Sequence, residues 1–387
     1  MKDIVGLVLA GGLVKEMGVL VKRRSKAALP FGGMYRIIDF PLTNLSRSNI
    51  QVVGVLSQYR PRSLMDHVGV GRPWDYNQRT RELIFLPPQQ GIGPSDWYKG
   101  TADAVYQNIP FLERYVPRHV LIISGDHVYL MDYRRVLEFH LRRDADLTIV
   151  FKPLDIKGKS RFGIGVLDAD GRVIDYEEKP EHPKSNLASL TIYLWKYEVL
   201  IEEVRRNAKE GRTYQLYDEV IPRMVEEGRR VFGYVFNGAW KYLRNVNEYL
   251  EEHIALARDS SDLELNDAGV ITNLEVLGVG DAPPSMIQGD VKDSIISPGC
   301  WVSGTVKNSV LGPWVRVHEG AVIQDSVIMG NAVISEGAII NRAVLDKGVT
   351  VGPEAKVIGA QQAPAVVGWR VRVAQGVELG PGEYWRR

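Results

Sequence analysis

Cysteine is almost absent from this 387-residue chain: Cys300 stands alone, so no internal disulfide can form and no cysteine-based metal site can be built. Nothing therefore points to a secreted, disulfide-stapled scaffold. An excess of charge of one sign is also lacking. Lys and Arg number 48 against 47 Asp and Glu, a formal net charge of +1, which excludes bulk attraction to nucleic acid or to a membrane surface. Long apolar runs are missing too. The run Ile4 to Ala10, after Lys2, is too short to cross a bilayer and leads into Gly11-Gly12, so it reads as a buried first strand rather than a signal peptide. The expected location is the cytoplasm.

What is present is enough chain for two domains or three. Ile4–Leu9, Val52–Leu56, His119–Ser124, Leu147–Phe151 and Arg230–Phe236 read as buried strands, with Ala102–Tyr115 and Tyr133–Arg143 as helices between them. This alternation predicts a Rossmann-like α/β domain with a mostly parallel sheet over residues 1–255. Ligands of such sheets bind beyond the carboxyl ends of the strands, where Gly11-Gly12 and Gly125-Asp126 fall. A basic run, Lys22 to Arg24 with Lys26, lies beside the first of these loops and reads as anion-facing. Residues 256–290 turn polar and then rich in Gly and Pro, as a linker does. Over 291–387, Leu311, Val317 and Ile323 are six apart; Ile328, Ile334 and Ile340 repeat the pattern, as do Leu345, Val351 and Val357, with the first members 17 apart. Three short strands per coil, each with one inward apolar residue, predict a left-handed β-helix of hexapeptide repeats whose exposed edge or face serves oligomer contacts.

Several stretches carry a resemblance: Leu9-Ala-Gly-Gly12, Pro30-Phe-Gly-Gly33, Tyr35-Arg-Ile-Ile-Asp-Phe40, Trp97-Tyr-Lys-Gly-Thr-Ala-Asp-Ala-Val105 with Gln107-Asn108, Ser124-Gly-Asp-His-Val-Tyr129, Glu178-Lys-Pro180 and Leu187-Ala-Ser189. In order and spacing they are similar to the ADP-glucose pyrophosphorylase (glucose-1-phosphate adenylyltransferase) family, along nearly the whole chain. The resemblance implies a nucleotidyltransferase that makes ADP-glucose and pyrophosphate from ATP and glucose 1-phosphate with magnesium. Catalysis of that kind rests on positioning and charge neutralisation.

By the same resemblance, glucose 1-phosphate contacts fall on Tyr98, Gly163, Glu178, Lys179 and Ser189, and nucleotide contacts on Leu9, Gly11, Gly12, Gly100 and Asp103. Lys179 offers a point charge to the phosphate, Glu178 accepts from sugar hydroxyls, and Gly163 permits close backbone approach, while Tyr98 and Ser189 add polar contacts. Where the family has Met-Gly after the serine, this chain has Leu190-Thr191, a side chain expected to narrow the pocket.

The nucleotide side departs further. The family loop Gly-Gly-x-Gly-[Thr/Ser]-Arg-Leu is here Gly11-Gly-Leu-Val-Lys-Glu-Met17, so Val14 replaces a glycine, Lys15 a small hydroxyl and Glu16 the catalytic arginine. One unit-charge interaction at about 4 Å and an effective dielectric near 20 is roughly 4 kcal/mol, and reversing its sign costs about twice that before relaxation. Asp126 matches the first magnesium carboxylate. Tyr242 stands where the second belongs, and Arg244 replaces a glycine nearby. A phenol is a poor magnesium ligand. Lys26 is retained as an anion-binding cation.

The chain thus resembles the family's non-catalytic, regulatory subunits, which act with an active homologue in glycogen or starch synthesis. The alternatives are an active but slow adenylyltransferase and a sugar-phosphate or effector sensor. A β-helix acyltransferase using His318 would leave the α/β domain unexplained. Restoring Glu16→Arg with Tyr242→Asp is expected to raise activity, with Val14, Thr191 and Arg244 the first suspects if it does not. The resemblance further implies a tetramer, homo- or hetero-oligomeric, with phosphorylated metabolite effectors bound at Arg23 and Arg36, aided by Arg370 or Arg372.

Overall fold

A computed structural model describes residues 3–89, 97–263, 265 and 269–384; Lys2, part of the expected linker and the last three residues of the expected β-helix domain lie outside them. The chain forms two compact units that do not follow chain order. The first gathers Met1–Gly12, Pro41–Gln58 and Val70–Ala239, and the second Leu13–Phe40, Tyr59–Gly69 and Trp240–Arg387.

The first unit is built on a nine-stranded sheet. Its strands are β1 (Ile4–Leu9), β2 (Val52–Leu56), β3 (Glu82–Leu86), β4 (His119–Ser124), β5 (Leu147–Pro153), β6 (Gly163–Leu167), β7 (Val173–Glu178), β8 (Leu187–Lys196) and β9 (Val231–Val235). The order is β7-β6-β8-β4-β1-β2-β3, with β5 beside β8 and β9 beside β5. Strands β4, β1, β2 and β3 are mutually parallel, as are β5 and β9, while β8 runs against β4, β5 and β6, and β7 against β6. Only β7 and β8 are therefore reversed, which is the mostly parallel sheet expected from the alternating sequence. The near-continuous apolar strands β1 and β4 occupy its middle and are buried on both faces, as parallel strands require.

The helix expected over Ala102–Tyr115 is two helices, α1 (Thr101–Gln107) and α2 (Ile109–Tyr115). The break is at Asn108, whose side chain donates to Ala104 O at 2.8 Å, just before Pro110. Proline cannot donate into the preceding turn, and the asparagine amide takes up a carbonyl the helix would have used. The next helix, α3 (Tyr133–Arg142), starts at Asp132, whose carboxylate accepts from Arg134 N at 3.0 Å. Helix α4 (Tyr197–Glu210) follows β8 and packs its apolar stripe into the same core.

In the second unit, three six-stranded parallel sheets wind into the β-helix. They run from Met286–Ile287 to Arg372–Val373, from Val291–Lys292 to Glu378–Leu379, and from Ile295–Ile296 to Gly382–Tyr384. Leu311, Val317, Ile323, Ile328, Ile334, Ile340, Leu345, Val351 and Val357 share one buried core, as the six-residue spacing predicts. Leu311 pairs with Ile328 and Ile328 with Leu345, but Leu345 pairs with Val367, 22 residues on rather than 17. The extra residues form a small turn closed by an Ala360–Ala363 bridge at a corner of the coil.

The same unit holds helix α5 (Val246–Ala257), capped by Asn245 accepting from Glu248 N at 2.8 Å. This helix anchors the segment before it in sequence terms by more than 200 residues: Tyr249 Oη donates to Pro30 O at 2.6 Å, and Gly32 N donates to His253 Nε2 at 3.1 Å. The His253 imidazole is held down to about 4 by burial, so it is the neutral acceptor this contact needs.

Candidate functional site

The expected site residues divide between the two units. In the first unit, β1 delivers Leu9, Gly11 and Gly12 at its carboxyl end. A Cβ at Gly11 would lie 3.0 Å from Gln58 N, whereas Gly12 has open space around it. Gly100 takes an extended φ of −177°, so its need for glycine is proximity rather than handedness: a Cβ there would lie 2.2 Å from Tyr214 O. Asp103 is a clamp on the same loop, accepting from Lys99 N at 2.8 Å and from Gln107 Nε2 at 2.9 Å.

Tyr98 is tied into its loop by hydrogen bonds. Its hydroxyl donates to Leu86 O at 2.9 Å and accepts from Asn108 Nδ2 at 2.8 Å, while its backbone N–H donates to Gln58 Oε1 at 2.6 Å. The phenol is spent on holding the loop, because a half-buried hydroxyl without partners would be costly.

Glu178 and Lys179 end β7 as an ion pair of 3.0 Å. Burial pushes the Glu178 carboxyl up, and Lys179 opposes that shift. A Cβ at Gly163 would lie 2.1 Å from Tyr176 Oη and 2.8 Å from Glu178 Oε2, so any side chain at 163 would drive into the groups that form this pocket. Ser189 is buried, with its Oγ 3.5 Å from Tyr193 Oη.

Between Ser189 and Tyr193 the pairing of β8 with β5 slips, and Thr191 within that bulge has a φ of +54°. Left-handed backbone suits glycine and penalises a β-branched residue. Replacing Thr191→Gly is expected to stabilise the chain by about 1 kcal/mol, read as a higher urea midpoint; a lower midpoint would mean the threonine hydroxyl holds the bulge.

Asp126 follows β4. It accepts from Ser124 Oγ at 2.5 Å and lies 3.5 Å from His127 Nε2. Among the described residues no group of three or more His, Cys, Asp or Glu is arranged to hold a metal ion.

In the second unit the loop after Gly12 is a 3-10 helix, Lys15–Val21, kinked at Gly18 (φ 54°). Val14 has φ −105°, ordinary extended backbone, so this loop makes no demand for glycine there. The demand has moved to Gly18, where a Cβ would lie 1.5 Å from Glu383 Oε1. Lys15 is exposed. Arg244 Nη2 donates to Glu16 Oε1 at 2.7 Å, and Arg244 Nε to the same oxygen at 3.1 Å. Those hydrogen bonds hold the Glu16 carboxyl below its usual range. The two residues that the resemblance sets in the places of an arginine and a glycine thus answer each other.

Tyr242 likewise has a partner. The Lys26 ammonium, buried, sits 4.1 Å from the centroid of the Tyr242 ring, and Trp240 stacks beside that ring at 6.2 Å. The neutral ring takes up part of the field a carboxylate would have supplied.

Arg23 and Arg36 join a third grouping. Arg23 lies 4.2 Å from the Trp369 ring centroid and Arg370 4.5 Å from it. Arg36 Nη1 donates to Ser63 O and Oγ, both at 2.9 Å, and desolvation, then the neighbouring Arg24, pulls its guanidinium down to about 10. Arg24 forms a buried pair with Asp346 at 2.5 and 2.6 Å. Burial, then Arg36, Arg24 and Arg370, lowers Lys347. Arg370 is a C-terminal member of this cationic cluster. Sequence reading missed Asp346 and Lys347, which sit in a β-helix turn with no motif of their own.

A nucleotidyl transferase family model matches residues 5–259, and a GlmU-like C-terminal hexapeptide model matches residues 283–380. A glucose-1-phosphate adenylyltransferase of Clostridium perfringens is 42% identical over 334 residues, 85% of each chain. One of Acetivibrio thermocellus is 38% identical over 385 residues, covering 99% of this chain and 84% of that protein. One of Bacillus mycoides is 39% identical over 332 residues, 85% of this chain and 87% of its own. Identity of this depth over both domains means that the chain belongs to the glucose-1-phosphate adenylyltransferase family.

Proposed function

We propose that this chain is a catalytically impaired, regulatory member of its family, acting with an active homologue in a hetero-oligomeric, cytoplasmic enzyme of glycogen or starch synthesis. The observation that carries this reading is the Glu16–Arg244 ion pair. An arginine in the loop would present an unopposed cation to a triphosphate; here the loop presents a carboxylate, and the guanidinium that neutralises it is occupied in doing so. Lys26 beneath the Tyr242 ring supports the same conclusion, since the second metal carboxylate of the resemblance is absent. The cluster of Arg23, Arg24, Arg36, Lys347 and Arg370 is the binding site we assign to phosphorylated effectors, with Asp346 the internal anion that partly balances it.

The pure chain, given ATP, glucose 1-phosphate and magnesium, is expected to form negligible ADP-glucose. Mixed with a catalytic homologue, it is expected to change the rate or the effector response of that partner. Robust turnover by the pure chain that disappears in Asp126→Asn would sink the proposal. That outcome belongs to a second reading, a slow adenylyltransferase, favoured by one observation: Arg244 keeps a guanidinium beside position 16.

A further inference from the structure

Lys179 has an unusual backbone. It follows the last residue of β7 and precedes Pro180, a place where the chain is ordinarily extended, yet its φ is +48°. A positive φ disfavours any residue with a side chain, and residues held there collect at functional sites. The turn is pinned by Lys179 N, which donates to Phe162 O at 3.2 Å. The lysine side chain that leaves it is 48% exposed. A lysine tip that far out keeps many rotamers, and it must give them up when an anion fixes it.

Two groups meet that ammonium. Glu178 pairs with it at 3.0 Å, and the centroid of the half-buried Tyr217 ring lies 5.5 Å from it. They act differently. A carboxylate holds the cation by neutralising it. An aromatic face attracts it through a quadrupole and leaves its net charge for a ligand.

The ring itself has a fixed base. Tyr217 belongs to a π-helical turn, Leu216–Val220, whose end residues are fully buried, and such turns recur where a helix is reshaped around a site. Gln215 Oε1 accepts from Thr101 N at 3.0 Å and from Thr101 Oγ1 at 3.1 Å. Thr101 Oγ1 in turn accepts from Leu216 N at 2.9 Å, and Ala102 N donates to Tyr214 O at 2.9 Å. That same carbonyl leaves residue 100 no room for a Cβ. The π-turn and the loop that carries Tyr98, Gly100 and Asp103 are therefore one piece, and Tyr217 meets Lys179 from it.

We propose that Tyr217 is a positioning residue for sugar-phosphate binding: its ring, fixed by the π-turn against the Lys179 ammonium, restrains that cation before the ligand arrives and leaves its charge free to meet a phosphate. Restraint of this kind lowers the ordering cost of binding. The inference rests on reading Gly163, Glu178, Lys179 and Ser189 as a sugar-phosphate pocket. It does not depend on whether the chain turns over.

Calorimetric titration of the intact chain with glucose 1-phosphate, without ATP, tests it. Tyr217→Phe keeps the ring and is expected to bind as the unaltered chain does. Tyr217→Leu keeps an apolar side chain but has no π face, and is expected to bind about 3- to 5-fold more weakly, the worth of one partly exposed cation–π contact. A leucine variant that binds as tightly as the phenylalanine variant would overturn the proposal, and so would a phenylalanine variant as weak as the leucine one. Absence of binding by the unaltered chain would overturn it together with the sugar-phosphate reading of the pocket. Turnover by the unaltered chain would overturn the regulatory reading alone.

Discussion

Replacing three residues together, Glu16→Arg, Tyr242→Asp and Arg244→Gly, is expected to raise ADP-glucose formation at least about 100-fold over the unaltered chain, the usual worth of one transition-state charge contact. The pair Glu16→Arg with Tyr242→Asp is expected to stay near the starting rate. The reason is the contact between positions 16 and 244. Arg244 Nη2 now lies 2.7 Å from Glu16 Oε1. An arginine at 16 would meet a second guanidinium at that distance and be driven from the loop, so the sequence expectation that two changes suffice gives way to three. Tyr242→Asp releases the ring from Lys26 and supplies a carboxylate, but it leaves this repulsion in place. The changes share one transition state, so their effects should be far from additive. Steady-state rates of all single, double and triple variants decide it. A double variant as active as the triple would show that Arg244 does not block the site.

The second large effect concerns stability. Arg24→Ala is expected to cost about 3 kcal/mol, because it strips the partner from a carboxylate that is only 1% exposed. Lys347 N still donates to Asp346 Oδ1 at 2.6 Å, and the surrounding cations cushion the loss, which keeps the cost at the lower end for a broken buried pair. Arg24→Met with Asp346→Leu is expected to recover more than half of it, since both charges then leave the interior. Urea unfolding of the three variants measures this. A single variant within 0.5 kcal/mol of the unaltered chain would show that Asp346 is already satisfied by other neighbours.

The sequence made the β-helix easy to read because its inward residues repeat on a fixed count, and every one from Leu311 to Val357 lies in the core. The sheet was equally accessible, because β1 and β4 are unbroken apolar runs that only a doubly covered strand can accept. The single helix over 102–115 was misread: the apolar period continues through Asn108, and the break depends on an amide that turns back onto Ala104. In the candidate site, residue types were visible but their partners were not. Glu16 and Arg244 both stood out as departures, yet no pattern links positions 228 residues apart until the fold brings them together.

The β-helix also bears on how such a chain changes its length. Each coil pairs its strands with those of the coils above and below, and its interior is a stack of interchangeable aliphatic rungs. The small turn at Ala360–Ala363 adds five residues between two rungs, and Leu345 still pairs with Val367 as if nothing had been added. Corners are where this scaffold absorbs insertions, so new surface can be grown there without asking the core to repack.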